Sequence, residues 1–332
     1  MRYRLLLFSI CLLMSCGTAS NQEKEPEDLA GAQTVRLGFY NVENLFDTTD
    51  DPQTKDDEFT PEGSKHWTNR RWQEKNEQLT KVISAMKVQL LGLCEVENEQ
   101  VVKELVKHLN QAGGHYQYAH RESRDLRGID MALLYDPSVF KVGKIRQHHI
   151  RVNGHPYRGF LEVKGQLHDA PLSLYICHFP SRRGGVKRSA AKRMQVAKQL
   201  REAIYQSRKE KGAILVMGDF NDNPQDQSVK AVLCDTDVLV NLAKDLPTNQ
   251  RGSTYYRGEW LQFDQILYGK SEEAGTKIDF THSKLKLFAP SWLRQGPDAH
   301  QYADYPNRTY IGNRYVGGYS DHFPVFCEIV VQ

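Results

Sequence analysis

The stretch Ala213-Ile214-Leu215-Val216-Met217-Gly218-Asp219-Phe220-Asn221-Asp222-Asn223-Pro224 decides how this chain is read. Its first five residues are apolar without a break and too few for a helix, the pattern of a strand buried on both faces. The character then reverses within two residues. Gly218 and Asp219 bring a carboxylate to the end of that strand, and Asn221, two residues on in an extended turn, faces the same side as Asp219. A carboxylate at a buried strand end is costly unless it is paired or bound to a cation.

Four more segments have this form. Tyr40-Asn41-Val42-Glu43-Asn44 follows an alternating run at 35–40, and Leu93-Cys94-Glu95-Val96-Glu97 ends an apolar run at 89–96. Cys177-His178-Phe179 ends a strand-like run at 172–178, and Ser320-Asp321-His322-Phe323 leads into an apolar run at 323–331. A single cleft at one edge of the sheets, holding a hard cation, would account for all five.

Helical spacing marks 71–87, 100–112 and 186–208, while 131–135, 159–165 and 263–268 read as further strands. No Pro/Gly/Ser linker divides 35–331. The alternation predicts one α/β domain of layered sheets and helices.

In this order, the five segments resemble the endonuclease/exonuclease/phosphatase superfamily of metal-dependent phosphoesterases, which includes DNase I-like nucleases, inositol-polyphosphate phosphatases and neutral sphingomyelinases. Gly218-Asp219-Phe220-Asn221 and Ser320-Asp321-His322 are the strongest marks. Together, with Asn41 and Glu95 upstream, they are specific where either alone is weak. The resemblance covers 35–331 and implies an α/β (α+β) four-layer sandwich, two packed mixed sheets with helices outside.

The resemblance also implies roles. Glu95 matches the metal-binding glutamate, with Asn41 near metal and phosphate and Asp321 a second acidic contributor. The ion implied is Mg²⁺, with Mn²⁺ as the alternative; Mg²⁺ takes oxygen ligands and few of them from protein. Asp219 matches the aspartate that orients or deprotonates the attacking water, and Asn221 a donor to a non-bridging oxygen. His322 matches the histidine of a His–Asp pair whose partner is Asp264. His178 matches a second histidine that steadies the phosphate or protonates the leaving group. For a mid-chain phosphate contact the candidates are Arg127, Asp130 and Tyr135.

Residues 178–201 hold eight lysines and arginines and no acid. Arg182 and Arg183 directly follow the histidine segment and read as substrate contacts at the cleft mouth. The helix beyond reads as a solvated basic face. The acidic run 46–67 reads as a solvated loop, 290–319 as aromatic packing over a sandwich edge, and His148-His149 as surface.

At the N-terminus, Arg2 and Arg4 precede a short apolar run at 5–13 that ends in Leu13-Met14-Ser15-Cys16. The run is too short for an ordinary membrane span and fits a signal sequence. A small residue before the cysteine resembles a lipoprotein cleavage site, with Cys16 the lipidated residue. The expected organisation is a signal peptide at 1–15, a polar tether at 16–34 and the phosphoesterase domain at 35–332. The chain would then be exported and anchored on a periplasmic or cell-surface membrane face.

The chain has 332 residues, 39% hydrophobic and 26% charged, with a formal charge of +3 and six cysteines. These values exclude a disulfide-dense scaffold and a polytopic membrane protein, and they leave any polyanion affinity to local patches. The reading that follows is a monomeric metal-dependent phosphodiesterase acting on nucleic acid, most simply an endonuclease. The competitors are a phosphatase or sphingomyelinase-like enzyme acting on small phosphates or lipid headgroups, a non-catalytic binding lipoprotein, and a zinc or calcium structural protein for which ligand spacing is lacking.

Overall fold

The computed structural model describes residues 32–234, 238–246, 251–269, 277–294 and 304–332. The expected leader, Cys16 and residues 17–31 of the tether lie outside these. The first strand, β1 (Gln33–Leu45), takes up the end of the expected tether. The chain continues through α1 (Asn69–Met86), β2 (Leu90–Val96), α2 (Glu99–Gln111), β3 (Gln117–His120), β4 (Asp130–Tyr135), β5 (Phe140–Val152), β6 (His155–Leu167), β7 (Ala170–His178), α3 (Val186–Ser207) and β8 (Ala213–Asp219). Shorter strands follow: β9 (Leu239–Asn241), β10 (Thr254–Tyr256), β11 (Glu259–Leu261), β12 (Asp264–Gly269), β13 (Ile278–Asp279), β14 (Lys286–Leu287), β15 (Tyr310–Ile311) and β16 (Arg314–Tyr315), before β17 (Val325–Val331) closes the fold.

Two mixed sheets form. One runs β13-β17-β1-β2-β4-β3, with β14 also on β17; the other runs β5-β6-β7-β8-β12-β9. Leu37, Phe39, Met131 and Ile329 of the first meet Leu161, Leu174, Leu215 and Ile266 of the second in one apolar core. On the outer face of the first sheet, Leu79 and Ile83 of α1 and Val102 and Leu105 of α2 pack on Leu91 and Leu93. On the outer face of the second, Val196, Leu200 and Ile204 of α3 pack on Tyr175 and Val216. The result is the four-layer sandwich: helices, sheet, sheet, helix.

The helices follow from their sequences. Thr68 and Asn98 accept hydrogen bonds from the amides of Arg71 and Val101 and so cap α1 and α2. Lys87, in the left-handed region at φ 52°, ends α1. Each sheet holds one parallel pair, β1–β2 and β7–β8, the other pairs being antiparallel. Each parallel pair needs a crossover, which α1 and α3 supply. The carboxyl ends of both pairs lie at one edge of the sandwich, where ligands of open α/β sheets bind.

β5 differs from expectation. Residues 140–152, which carry Lys141, Lys144, Arg146 and His148, were not among the expected strands, yet they form an edge strand paired to β6 along its length. Charges are what an edge strand carries to discourage further pairing. His148 is held in the sheet rather than free at the surface: its Nε2 lies 2.8 Å from Glu162 and its ring stacks on Phe160.

Candidate active site

The site begins with irregularities in two strands. The β1–β2 register slips between Asn41 and Leu45, and the β2–β4 register between Cys94 and Val96. Glu43, Asn44 and Glu95 there adopt φ of 51°, 54° and 63°, and Asn221 after β8 adopts 48°. Left-handed backbone at a non-glycine residue costs about 1–3 kcal/mol and persists only where its surroundings impose it. Four such residues meet at one edge of the sandwich.

Asn41 joins the two sheets. Its Nδ2 donates to Glu95 Oε1 at 3.3 Å and to Asp219 Oδ2 at 3.0 Å, while its Oδ1 accepts from the Glu43 amide at 3.0 Å. In this geometry the side-chain amide of Asn41 clamps two carboxylates, one from each sheet. Glu95 Oε2 accepts from the Asn44 amide at 3.0 Å, and Asn44 Oδ1 accepts from Arg127 Nη2 at 2.5 Å. Of the mid-chain candidates only Arg127 reaches the site. Asp130 pairs with His120 at 3.1 Å, and Tyr135 bonds Gln117 at the opposite end of β4.

Strand register sets the second half of the site. Asp219 is opposite His178 on β7 and Asp264 on β12. His178 Nε2 lies 3.7 Å from both Glu95 Oε1 and Asp219 Oδ2. His322 Nδ1 lies 2.6 Å from Asp264 Oδ2, and its Nε2 is 3.9 Å from Asp219 Oδ2. Ser320 orients this segment: its hydroxyl donates to Asn41 O at 2.7 Å and accepts from the His322 amide at 3.1 Å. Asp321 stands on the outer side of His322, with Oδ1 4.0 Å from His322 Nε2 and Oδ2 3.5 Å from Arg308. The Asn221 amide donates to Asp219 Oδ1 at 2.8 Å, and its side chain donates to Phe179 O at 3.1 Å.

The two histidines carry different charge. Burial works against the charged form of His322, but Asp264, and then Asp219 and Asp321, outweigh it and hold the ring well above the usual imidazole range. Burial, reinforced by Arg158 and Arg127, holds His178 well below that range. Arg158, fixed by an ion pair to Asp125 at 3.0 Å, points its Nη1 at His178 Nδ1. A guanidinium only donates, so Nδ1 is the acceptor and the ring proton sits on Nε2, facing the carboxylates. Burial pushes Asp219 up to about 7, with Asp264 adding to the rise and His322 opposing it.

Arg158 and Asp125 were not foreseen from the sequence. Neither falls in a motif, and only the fold brings β6 beside His178. Arg182 is present as expected but engaged: it donates to Asn221 O at 2.9 Å and pairs with Asp222 at 3.2 Å and Asp226 at 2.6 Å. It braces the Asn221 turn. Arg183 is exposed and has no hydrogen bond or ion pair among the described residues. Both line a cleft of about 700 Å³ that also opens onto Asn221, Asp321 and His322.

A buried brace supports the His322 segment from behind. Glu43 accepts from the Thr309 amide at 2.7 Å, and Lys75 donates to Thr309 Oγ1 at 2.7 Å and Tyr319 O at 2.6 Å. Burial pushes Glu43 up to about 7 and Lys75 down to about 8.

The donor set fits a hard divalent ion. Glu95 and Asp219 present carboxylate oxygens held by one amide, while the thiols of Cys94 and Cys177 are buried and pushed well up by that burial. Asp219, Asp264 and His322 also place ligand atoms within 4.8 Å of one another, as do His120, Glu122 and Asp130 away from this cluster.

The fold recurs in solved structures at low identity. An endonuclease/exonuclease/phosphatase family protein from Bacteroides thetaiotaomicron shares 16% identity at a TM-score of 0.60, over 91% of this chain and 99% of that one. The mannosyl-6-phosphatase of the same organism shares 16% at 0.57, over 89% and 99%. D. rerio TDP2, complexed with single strand DNA product, shares 15% at 0.55, over 89% and 98%. No curated protein matches the chain. The model of the Endonuclease/Exonuclease/phosphatase family matches residues 36–331, so the chain belongs to that family of phosphoester hydrolases.

Proposed function

We propose that the protein is an Mg²⁺-dependent phosphodiesterase, with Mn²⁺ as a substitute, that cleaves nucleic acid as an endonuclease. The observation that carries the hydrolytic reading is the hydrogen bonding of Asn41 to Glu95 and Asp219, which draws the acidic ends of both sheets against His178 and His322. Glu95 would hold the ion, which when bound neutralises charge on the phosphate oxygens and the departing oxygen. Asp219, pushed up to about 7 by its burial, orients the attacking water and takes its proton. Neutral His178 donates its Nε2 proton in a hydrogen bond to a phosphate oxygen, and charged His322 faces the developing negative charge. Asn221, fixed by Phe179 O, has a second amide hydrogen for a non-bridging oxygen.

The choice of nucleic acid rests on the cleft walls. The hairpin β10–β11 brings Tyr256, 56% exposed, and Arg257 into the lining of the cleft that Arg183 also lines. An exposed aromatic facing cations suits stacked bases and phosphates. The TDP2 structure with its DNA product supports this choice, and the mannosyl-6-phosphatase supports a phosphatase acting on a small phosphate as the second reading.

The test offers the protein plasmid DNA, RNA, mannose 6-phosphate, inositol phosphates and sphingomyelin, with Mg²⁺, Mn²⁺ or EDTA. Metal-dependent nicking that disappears in Asp219→Ala is expected. Phosphate release without nicking would refute the nuclease reading in favour of the phosphatase. The location belongs to the proposal as well: an exported chain lipidated on Cys16. Mass spectrometry of the mature N-terminus decides it, and an unmodified terminus elsewhere refutes it.

A further inference from the structure

Beside the cleft is a second cavity, of about 390 Å³, whose lining includes Asn153, Arg183, Arg188 and Lys192 and no carboxylate. Ser181 and Arg183 line both cavities, so the two are neighbours across one short segment of backbone. Of the basic residues that looked alike in sequence, the structure makes two groups. Arg182 is matched by Asp222 and Asp226, and Arg193 is fully buried against Asp222 at 2.7 Å. Arg183, Arg188 and Lys192 are exposed, and among the described residues none of their side chains makes an ion pair or hydrogen bond. Cations without counter-charge around one concavity raise the local concentration of anions. The buried pair Arg193–Asp222 fixes the start of α3 and with it the position of these side chains.

We propose that this cavity is a second phosphate subsite, occupied by a phosphate of the same nucleic-acid strand whose scissile phosphate lies at Glu95, Asp219 and His322. The inference rests on the nuclease reading and deepens it: the substrate is a chain carrying several phosphates, gripped at Arg183, Arg188 and Lys192 as it leaves the cleft. An anionic membrane surface is the competing occupant of a basic helix face. The continuity of the two cavities through Arg183 favours the strand.

The experiment measures anisotropy of fluorescein-labelled oligothymidylates of increasing length, bound by the full-length protein in EDTA over a range of salt. Arg188→Gln with Lys192→Gln is expected to weaken binding of the longer strands roughly tenfold and to lower the salt slope by about 1.4, since each lost phosphate contact on a single strand removes about 0.7. Thymidine monophosphate, with one phosphate, should be affected less. Lys198→Gln, on the same helix but outside both cavities, should bind as the wild type does. The proposal is overturned if the double variant keeps wild-type affinity and slope, or if Lys198→Gln weakens binding equally. It is also overturned if the two substitutions abolish binding only to vesicles of equal parts phosphatidylcholine and phosphatidylglycerol. Cleavage of the same strands with Mg²⁺ or Mn²⁺ is scored separately. Binding through Arg188 and Lys192 without cleavage refutes the nuclease reading and leaves the subsite standing; cleavage with an unchanged KM in the double variant does the reverse.

Discussion

Asp264→Asn tests the electrostatics of the site directly. Asp264 lies 2.6 Å from His322 and is the first of the groups that overcome the burial of that ring. With an amide in its place only Asp219 and Asp321 oppose the burial, and the imidazole loses its proton at lower pH. A preorganised donor facing developing oxyanion charge is worth about 2.7–4 kcal/mol, or roughly 10²–10³ in kcat. The sign of the pH dependence follows. A raised imidazole pKa keeps the charge up to the folded-state value and loses it as pH rises through that value, so the variant loses its charge first. The ratio of wild-type to variant kcat on bis(p-nitrophenyl) phosphate should be greatest at about pH 8 and shrink towards about pH 5.5, where both rings are charged. Asp264 and His322 also act on Asp219, so the profiles of the two proteins are fitted with separate Asp219 titrations, and urea unfolding at each pH checks that the fold is intact. A ratio constant across pH would refute a charged His322 and leave Asp264 only an orienting role. A ratio near one would refute the pairing altogether.

Lys75→Met removes the buried ammonium and leaves Glu43 unbalanced, so urea unfolding should show a loss of about 3–5 kcal/mol, partly recovered when Glu43→Gln is added. Gly218→Ala would place a Cβ 2.3 Å from Cys177 O and 2.5 Å from its Sγ. It should cost about 1–3 kcal/mol by overpacking and lower kcat as well, because Cys177 and Gly218 immediately precede His178 and Asp219. Glu95→Gln should weaken Mn²⁺ binding in calorimetry by about tenfold or more while circular dichroism stays unchanged; wild-type affinity would show that Glu95 is not a ligand.

Much of this site was legible in the sequence, for a physical reason. Glu95, His178 and Asp219 sit at the ends of strands so apolar that the polar interruption itself is informative. The layered α/β fold was legible from the same alternation. What escaped was set by contacts between distant segments. Arg158 looks like any strand residue, and its role exists only because β6 borders β7. Glu43 and Lys75 are paired through Thr309, far along the chain. Arg193 falls in the basic run yet is 0% exposed, since the run records composition and not which side of α3 each residue faces. β5 was hidden by its charges, which mask the alternation that marks the other strands.

The position of Asn41 ties the chemistry to the packing of the sandwich. Glu95 belongs to one sheet and Asp219 to the other, and one side-chain amide holds both. Their separation therefore depends on how closely the sheets approach. That approach is tight beneath the site: a Cβ on Gly92 of β2 would lie 2.6 Å from Met217 Sδ of β8. Three of the four left-handed residues, Glu43, Asn44 and Glu95, lie at the strand slips beside this contact, and Asn221 follows β8 on the other sheet. Strain of this kind persists only on a rigid support. The shared core supplies that support, and the parallel pairs β1–β2 and β7–β8, each closed by one helix, set the acidic residues at their ends. The acids are thus held close by apolar packing against their mutual repulsion, and this leaves a concentration of negative charge that a divalent cation and a phosphate, arriving together, can relieve.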